Sequence, residues 1–236
     1  MTANSKSFSA AGAARAAAAV AILALGSGCM TARLEESRSL ATHIEDHEAV
    51  VLLAKPHVEG ASAEDDFMDC VGNKISRRSG IRVQPNNDFQ DSMFPWFEPS
   101  TAPQRPEGMA QLLSRPAVRQ RMAESGVRYI VWVDGLTRQT DSGGSISCAI
   151  GPGGGGCIGF GWWEKESDYD AIVWDLQEYK SAGSVSTNVT GTSAIVGAIV
   201  PLPFIARVQG TACDRLAAQL GEFLQGADPS AAGGAL

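Results

Sequence analysis

The chain has 236 residues, 44% of them apolar and 19% charged, and 26 Asp and Glu against 19 Lys and Arg give a net charge of −7. That apolar fraction excludes a disordered chain. The acidic balance, without a basic cluster, excludes electrostatic binding to nucleic acid or to anionic lipid headgroups.

Taken in order, the chain opens on an address. Residues 16–25 (AAAAVAILAL) form an uncharged run behind Lys6 and Arg15. A positive flank, a short apolar core and small residues after it describe a secretory signal. The run is too short for a permanent span, which needs about 20 apolar residues. Residues 26–29, Gly-Ser-Gly-Cys, resemble the lipobox of bacterial lipoproteins, with Gly26 three before the cysteine where that family usually carries Leu, and Leu25 one step further out. The resemblance implies cleavage after residue 28, a diacylated Cys29 and an acylated new amino terminus. Inner-membrane retention in that family usually needs Asp after the cysteine. Met30 stands there, which implies the outer membrane and its periplasmic face. Without residues 1–28 the chain keeps 17 Lys and Arg against 26 Asp and Glu, a net charge of −9.

Residues 29–47 are polar and charged and read as a lipidated tether. Residues 49–54 (AVVLLA) before Lys55-Pro56 read as a strand buried on both faces. Ser62 and Asp65 are spaced as a capping-box-like helix start. Phe67, Cys70, Val71 and Ile75 then fall on one helical stripe that Gly80 ends. Residues 81–84 read as a short strand. Residues 85–110 hold five prolines with Phe89, Phe94, Trp96 and Phe97 and little periodicity. So long an irregular segment reads either as a partner-binding loop or as a flap whose aromatics cover the sheet. Ser114 is placed to cap a helix over 115–125. Residues 127–134 (VRYIVWVD) are the strongest strand signal in the chain. Residues 145–150 and 158–163 read as a hairpin around GPGGGG, residues 169–179 as a strand and 184–191 as its return. Cys213, Leu216, Ala217, Leu220 and Leu224 form a last helical stripe, and residues 226–236 read as a disordered tail.

Beyond Cys29 there are four cysteines, an even number suited to two disulfides in an exported chain. A hairpin brings Cys148 to Cys157, which leaves Cys70 with Cys213. The expected fold is thus a single α/β sandwich domain over residues 48–225, in β-α-β-α-β-β-β-α order, with a mixed sheet and a disulfide-clamped Gly-rich hairpin. A strand of the type AIVWDLQ, a return strand and a helix of the type CDRLAAQL resemble a group of envelope lipoproteins. The group includes the curli-secretion lipoprotein, the amino-terminal domain of the Tol translocation protein and the activators of penicillin-binding proteins. The resemblance is one of order and pattern across 48–225, and it implies a βα domain that presents loops to envelope partners.

Candidate chemistry is sparse. His43 and His47 are four apart, and on a helix they would share a face; with His57 they are the only histidines and the only weak metal candidates. GPGGGG opens no helix and carries no Gly-Lys-Ser/Thr, so it reads as a turn needing positive φ rather than as a phosphate loop. Asp134 and Asp175 read as turn and ladder residues. Residues 194–206 (AIVGAIVPLPFIA) are apolar but too short to span, and read as core before contact surface. Phe94, Trp96, Phe97, Trp162 and Trp163 are the partner-binding candidates. The expectation is a lipid-anchored accessory module that binds an envelope protein, with no cofactor and no nucleic acid. Two alternatives stand beside it: an envelope enzyme, metal-dependent through its histidines, and a self-assembling subunit.

Overall fold

The structure is a computed structural model that describes residues 30–56, 63–98, 100–151, 154–197 and 201–226, with the side chains of 146, 157, 196, 197 and 201–204 outside that description. Cys29, His57, Ser62, the 1–28 signal and residues 227–236 therefore lie outside the described residues, as does the Cys157 side chain. The fold is mixed α/β. Strands β1 (Met30–Arg38) and β2 (Ala49–Ala54) lead to α1 (Asp65–Ser79) and β3 (Arg82–Gln84). Three helices follow, α2 (Asn86–Ser92), α3 (Pro106–Leu113) and α4 (Pro116–Ser125). Then come the long strands β4 (Val127–Gly151), β5 (Gly154–Asp175) and β6 (Lys180–Gly197), the short β7 (Pro201–Phe204), and α5 (Val208–Gln225). The seven strands form one sheet in the order β1-β6-β5-β4-β2-β3, with β7 paired antiparallel to β6. β2 is parallel to both β3 and β4.

The elements fit the α/β sandwich with a mixed sheet that the sequence led us to expect, and by contacts the chain divides into two compact units. Unit 2 holds residues 31–138, 166–190 and 208–236. Its β2 is apolar throughout because both faces are covered, and strand alternation sends Val51 and Leu53 to one side and Val50 and Leu52 to the other. Val51 and Leu53 meet Phe89, Met93, Phe97, Met109, Leu112 and Leu113 from the 85–113 region. On the opposite face α1 and α5 pack together, tied by the expected Cys70–Cys213 disulfide. Phe67, Val71 and Ile75 are buried on α1, where Cys70 of the same expected stripe is half-buried, and Cys213, Leu216, Ala217, Leu220 and Leu224 are buried on α5.

Three local readings change. Residues 30–38, expected in a tether, form β1 at the sheet edge, and the backbone N–H groups of Ser39 and Leu40 donate to Ala182 O (2.8 and 3.1 Å). Gly183 makes that pairing possible. Its φ is +149°, and a Cβ there would stand 2.0 Å from Ser37 O and 3.0 Å from Phe223 Cζ. Gly183→Ala is therefore expected to cost about 2–4 kcal/mol, from overpacking and an unfavourable φ. Chemical denaturation reads the loss, and protease cleavage within 30–47 reports the release of β1.

The second change concerns residues 85–110, which contain α2 and the start of α3 where an irregular loop was expected. In the third, Ser114 ends α3 rather than capping α4, whose N-cap is Arg115 without a side-chain bond.

Unit 1 holds Met30 and residues 139–165 and 191–207 among those described. Its strand segments come from β4–β5 and β6–β7. Of its described residues only Gly191, Ser193 and Ala206 are buried; Ile205, within the apolar 194–206 segment, is exposed.

Candidate functional site

The parallel strands of unit 2 create a crevice by their connectivity. β2 leads into α1 on one face of the sheet, while neighbouring β3 leads into α2–α4 on the other. Adjacent parallel strands whose connections part to opposite faces open a gap at their carboxyl ends, where open α/β sheets bind ligands. Here that gap is about 560 Å³. Leu52, Ala54, Met68 and Val83 give it apolar walls. Asp65, Asp69, Asn73 and Ser76 line it from one face of α1, at spacings of four, four and three that repeat with the helical turn. Gln84, Asn86 and Asn87 line it from the end of β3 and the start of α2.

These seven polar side chains make no hydrogen bond or ion pair among the described residues. That sets them apart from their surroundings. On the far side of α1, Lys74 and Arg78 both bind Asp214 of α5 (2.6 and 2.7 Å), and the Lys74 hydrogen bond holds the Asp214 carboxyl below the usual carboxylate range. Among the described residues no Lys, Arg or His lines the crevice. Carboxylates accept, carboxamides both donate and accept, and the local charge is negative. The arrangement suits neutral hydroxyl or amide groups, or cations, and repels anions.

The start of α1 is held by a buried network. Ser62, expected near the cap, lies outside the described residues, and Glu64 is the N-cap without a side-chain capping bond. Its carboxylate instead accepts from Thr137 N–H (3.0 Å) and Tyr169 O–H (2.5 Å). Thr137 Oγ1 lies 2.6 Å from Ser167 Oγ and 2.9 Å from the Tyr169 hydroxyl, and Phe67 stacks on the Tyr169 ring at 3.5 Å. Burial, then the bond to Glu64, pushes the Tyr169 phenol up to about 12, against the opposing bonds from Thr137 and Gln209. A raised folded pKa means that the folded state holds this proton more tightly than the unfolded one. Its contribution is complete below pH 10 and is lost as the pH rises towards 12. Two units correspond to about 2.7 kcal/mol at most. Unfolding followed between pH 9 and 12 is expected to show that loss, and Tyr169→Phe is expected to flatten it.

A second cavity, about 300 Å³, lies by the amino ends of β2 and β4 and is lined in part by His47, Glu48, Arg128 and Gln177. Its charges are already satisfied. Arg128 pairs with buried Asp175 and approaches Glu48 at 3.7 Å, and Gln177 Nε2 donates to Glu48 (3.0 Å). Asp175 also accepts the N–H groups of Gln177 and Glu178 (2.8 Å each), so it is the turn residue expected. Asp134 is paired with Lys55 (2.8 Å).

The aromatic candidates separate. Phe97 is core, edge-on to Phe89 at 5.4 Å, and so is not a contact residue. Trp96 is half-buried against the same core, while Phe94 is 63% exposed. Trp162 and Trp163 are both half-buried in unit 1. Cys148 is disulfide-bonded, and its expected partner Cys157 has its side chain outside the described residues. His43 and His47 lie in an irregular segment, not on a helix, so the shared face that would pair them is missing; exposed His43 faces Glu45 at 3.3 Å. Sequence reasoning did not single out Gln84, Asn86 or Asn87. Nor did it single out Asp69, Asn73 or Ser76; Asp65 entered only as the partner of Ser62 in the helix start.

No family model matches the chain. No curated protein matches it. Among solved structures it is similar to the PelC dodecamer from Paraburkholderia phytofirmans. A leucine-to-methionine variant of that protein is 12% identical over 84% of this chain and 99% of the other, with a TM-score of 0.40. Another structure of that dodecamer is 12% identical over 85% and 100%, with a TM-score of 0.37. The hypothetical protein CT253 from Chlamydia trachomatis is 12% identical over 75% and 98%, with a TM-score of 0.30.

Proposed function

We propose that this chain is an exported, lipid-anchored accessory protein of the outer membrane, acylated at Cys29, whose unit 2 binds an envelope component in the periplasm. The signal-like run over 16–25 and the lipobox-like residues 26–29 support the address. Cysteine chemistry agrees with it: Cys70, Cys148 and Cys213 are all oxidised, as in an exported chain.

One observation carries the binding role. Seven polar side chains without partners among the described residues converge on the crevice between α1 and the start of α2. The surface continues along α2 to exposed Phe94. Together they present an amide- and carboxylate-lined cleft with an aromatic at the far end of one helix. Such a surface recognises a component rich in neutral or positive hydrogen-bonding groups.

The test is photo-crosslinking in intact cells from position 87, with exposed Gln120 on α4 as control. A discrete envelope adduct at 87, lost on Asp69→Arg, is the expected result. Identical adducts at both positions, or an adduct indifferent to Asp69→Arg, would overturn the assignment of this surface.

A further inference from the structure

Residues 142–163 of unit 1 contain no charged side chain in 22 positions; the nearest charges are Asp141 on one side and Glu164 and Lys165 on the other. Residues 142–151 and 154–163 of this stretch lie in the two arms of the β4–β5 hairpin. Its large apolar groups face solvent: Ile150 is 93% exposed, Ile158 74% and Phe160 48%. They are also ordered along the arm. Aliphatic Ile150 and Ile158 sit nearest the tip, Phe160 follows, then Trp162 and Trp163, then charge.

Strand alternation places Ile158, Phe160 and Trp162 on one face, with Gly159 and Gly161 between them on the other. Trp162 lies over Gly143 across the hairpin, where an added Cβ would stand 3.0 Å from its Nε1. The result is an uncharged arm, with β6 beside β5, whose aliphatic residues lie outermost, with aromatics behind them and charge at the base. That order matches the depth profile of a lipid leaflet, from acyl chains through the headgroup level where tryptophan is enriched to water. A protein partner would not require this gradation, nor the absence of charge along the whole ribbon.

A second observation points the same way. Met30, the residue after Cys29, belongs to this same unit. Acyl chains on Cys29 would be delivered to the unit that carries the ribbon, so that anchor and ribbon would meet the same bilayer.

We propose that the β4–β5 hairpin seats in the interface of a phospholipid bilayer, with Ile150 and Ile158 at the acyl boundary and Trp162 and Trp163 at headgroup level. The inference rests on the envelope address proposed above, and its test separates the two. The full chain, in acylated form and as Cys29→Ser, is mixed with phosphatidylcholine vesicles whose acyl chains are brominated, so that only tryptophans in the bilayer are quenched. Trp132 and Trp174 are buried in unit 2 and report the background. The expected result is quenching by about twofold of the emission that Trp162→Phe/Trp163→Phe removes, and its loss by about tenfold in Ile150→Asp/Ile158→Asp. Those isoleucines touch little, so the variant is expected to keep its circular dichroism and melting temperature.

Quenching confined to the acylated form still supports the contact, with the anchor supplying proximity. Acylated protein that floats with vesicles while Trp162 and Trp163 stay unquenched overturns the hairpin contact and leaves the anchor standing. Quenching of a chain whose Cys29 proves unmodified sustains the contact and removes the anchor. If Ile150→Asp/Ile158→Asp instead dissociates an oligomer in solution and leaves emission unchanged, the ribbon joins copies of this chain and the lipid contact is overturned.

Discussion

The Cys70→Ala/Cys213→Ala variant is expected to lose about 3–5 kcal/mol of stability. The bond joins α1 to α5 across a sequence separation of 143 residues. Closing a loop of that length removes chain entropy from the unfolded state worth about 5 kcal/mol in the simplest model, and native contacts formed without the bond reduce the measured value. Those contacts are present here. Lys74 and Arg78 bind Asp214 beside the disulfide, and the apolar stripe of α5 stays buried. The helices should therefore remain docked while the margin against unfolding shrinks. The double alanine variant is preferable to chemical reduction, which also opens the bond at Cys148. Urea denaturation measures the effect, and a loss below about 1 kcal/mol would show that the loop is already closed in the unfolded ensemble. Since α1 carries Asp65, Asp69 and Asn73 into the crevice, the crosslink from position 87 should weaken in the same variant.

Arg128→Ala is expected to cost about 3–5 kcal/mol, the usual penalty for stranding a buried charge. Asp175 is 1% exposed, and among the described residues its one cationic partner is Arg128. Burial works against the Arg128 charge, but the Asp175 hydrogen bond, the charges of Asp175 and Glu48 and the neighbouring Tyr129 prevail and hold its pKa above the ordinary arginine range. Its guanidinium also lies 4.6 Å from the Tyr129 ring centroid. Without Arg128, Asp175 keeps, among the described residues, the backbone N–H groups of the turn into β6. Arg128→Met/Asp175→Asn should recover much of the loss, because a buried pair replaced by neutral groups is often nearly neutral in stability. A double-mutant cycle over these two positions reads the coupling directly. Additive costs would show that each side chain acts alone.

What could be read in advance follows the periodicity of burial. The stripes Phe67-Val71-Ile75 and Cys213-Leu216-Leu220-Leu224 repeat with the helical turn, so both helices, their inward faces and their disulfide were legible. The AVVLLA strand was legible because two covered faces leave no polar position. β1 was not. Its sequence MTARLEESR is polar on both sides and gains its structure from pairing with β6 over Gly183. The long hairpin strands were seen only in pieces, because beyond Gly135 neither face of β4 meets a core and alternation loses its meaning. In the 85–113 region the prolines masked the signal that was there. Phe89, Met93 and Phe97 stand four apart and all enter the core, although only the first lies inside a regular helix. The crevice was hidden for a different reason. It depends on β2 and β3 sending their connections to opposite faces, a property of strand order that no local window contains.

The proposed envelope address depends on Cys29 being the first residue of the mature protein and carrying acyl chains. Intact-mass analysis of protein extracted from its native membrane tests this directly. The predicted result is a chain beginning at Cys29 with the added mass of a diacylglyceryl group and an amide-linked acyl chain. A free thiol at Cys29, or residues 1–28 still attached, would contradict it.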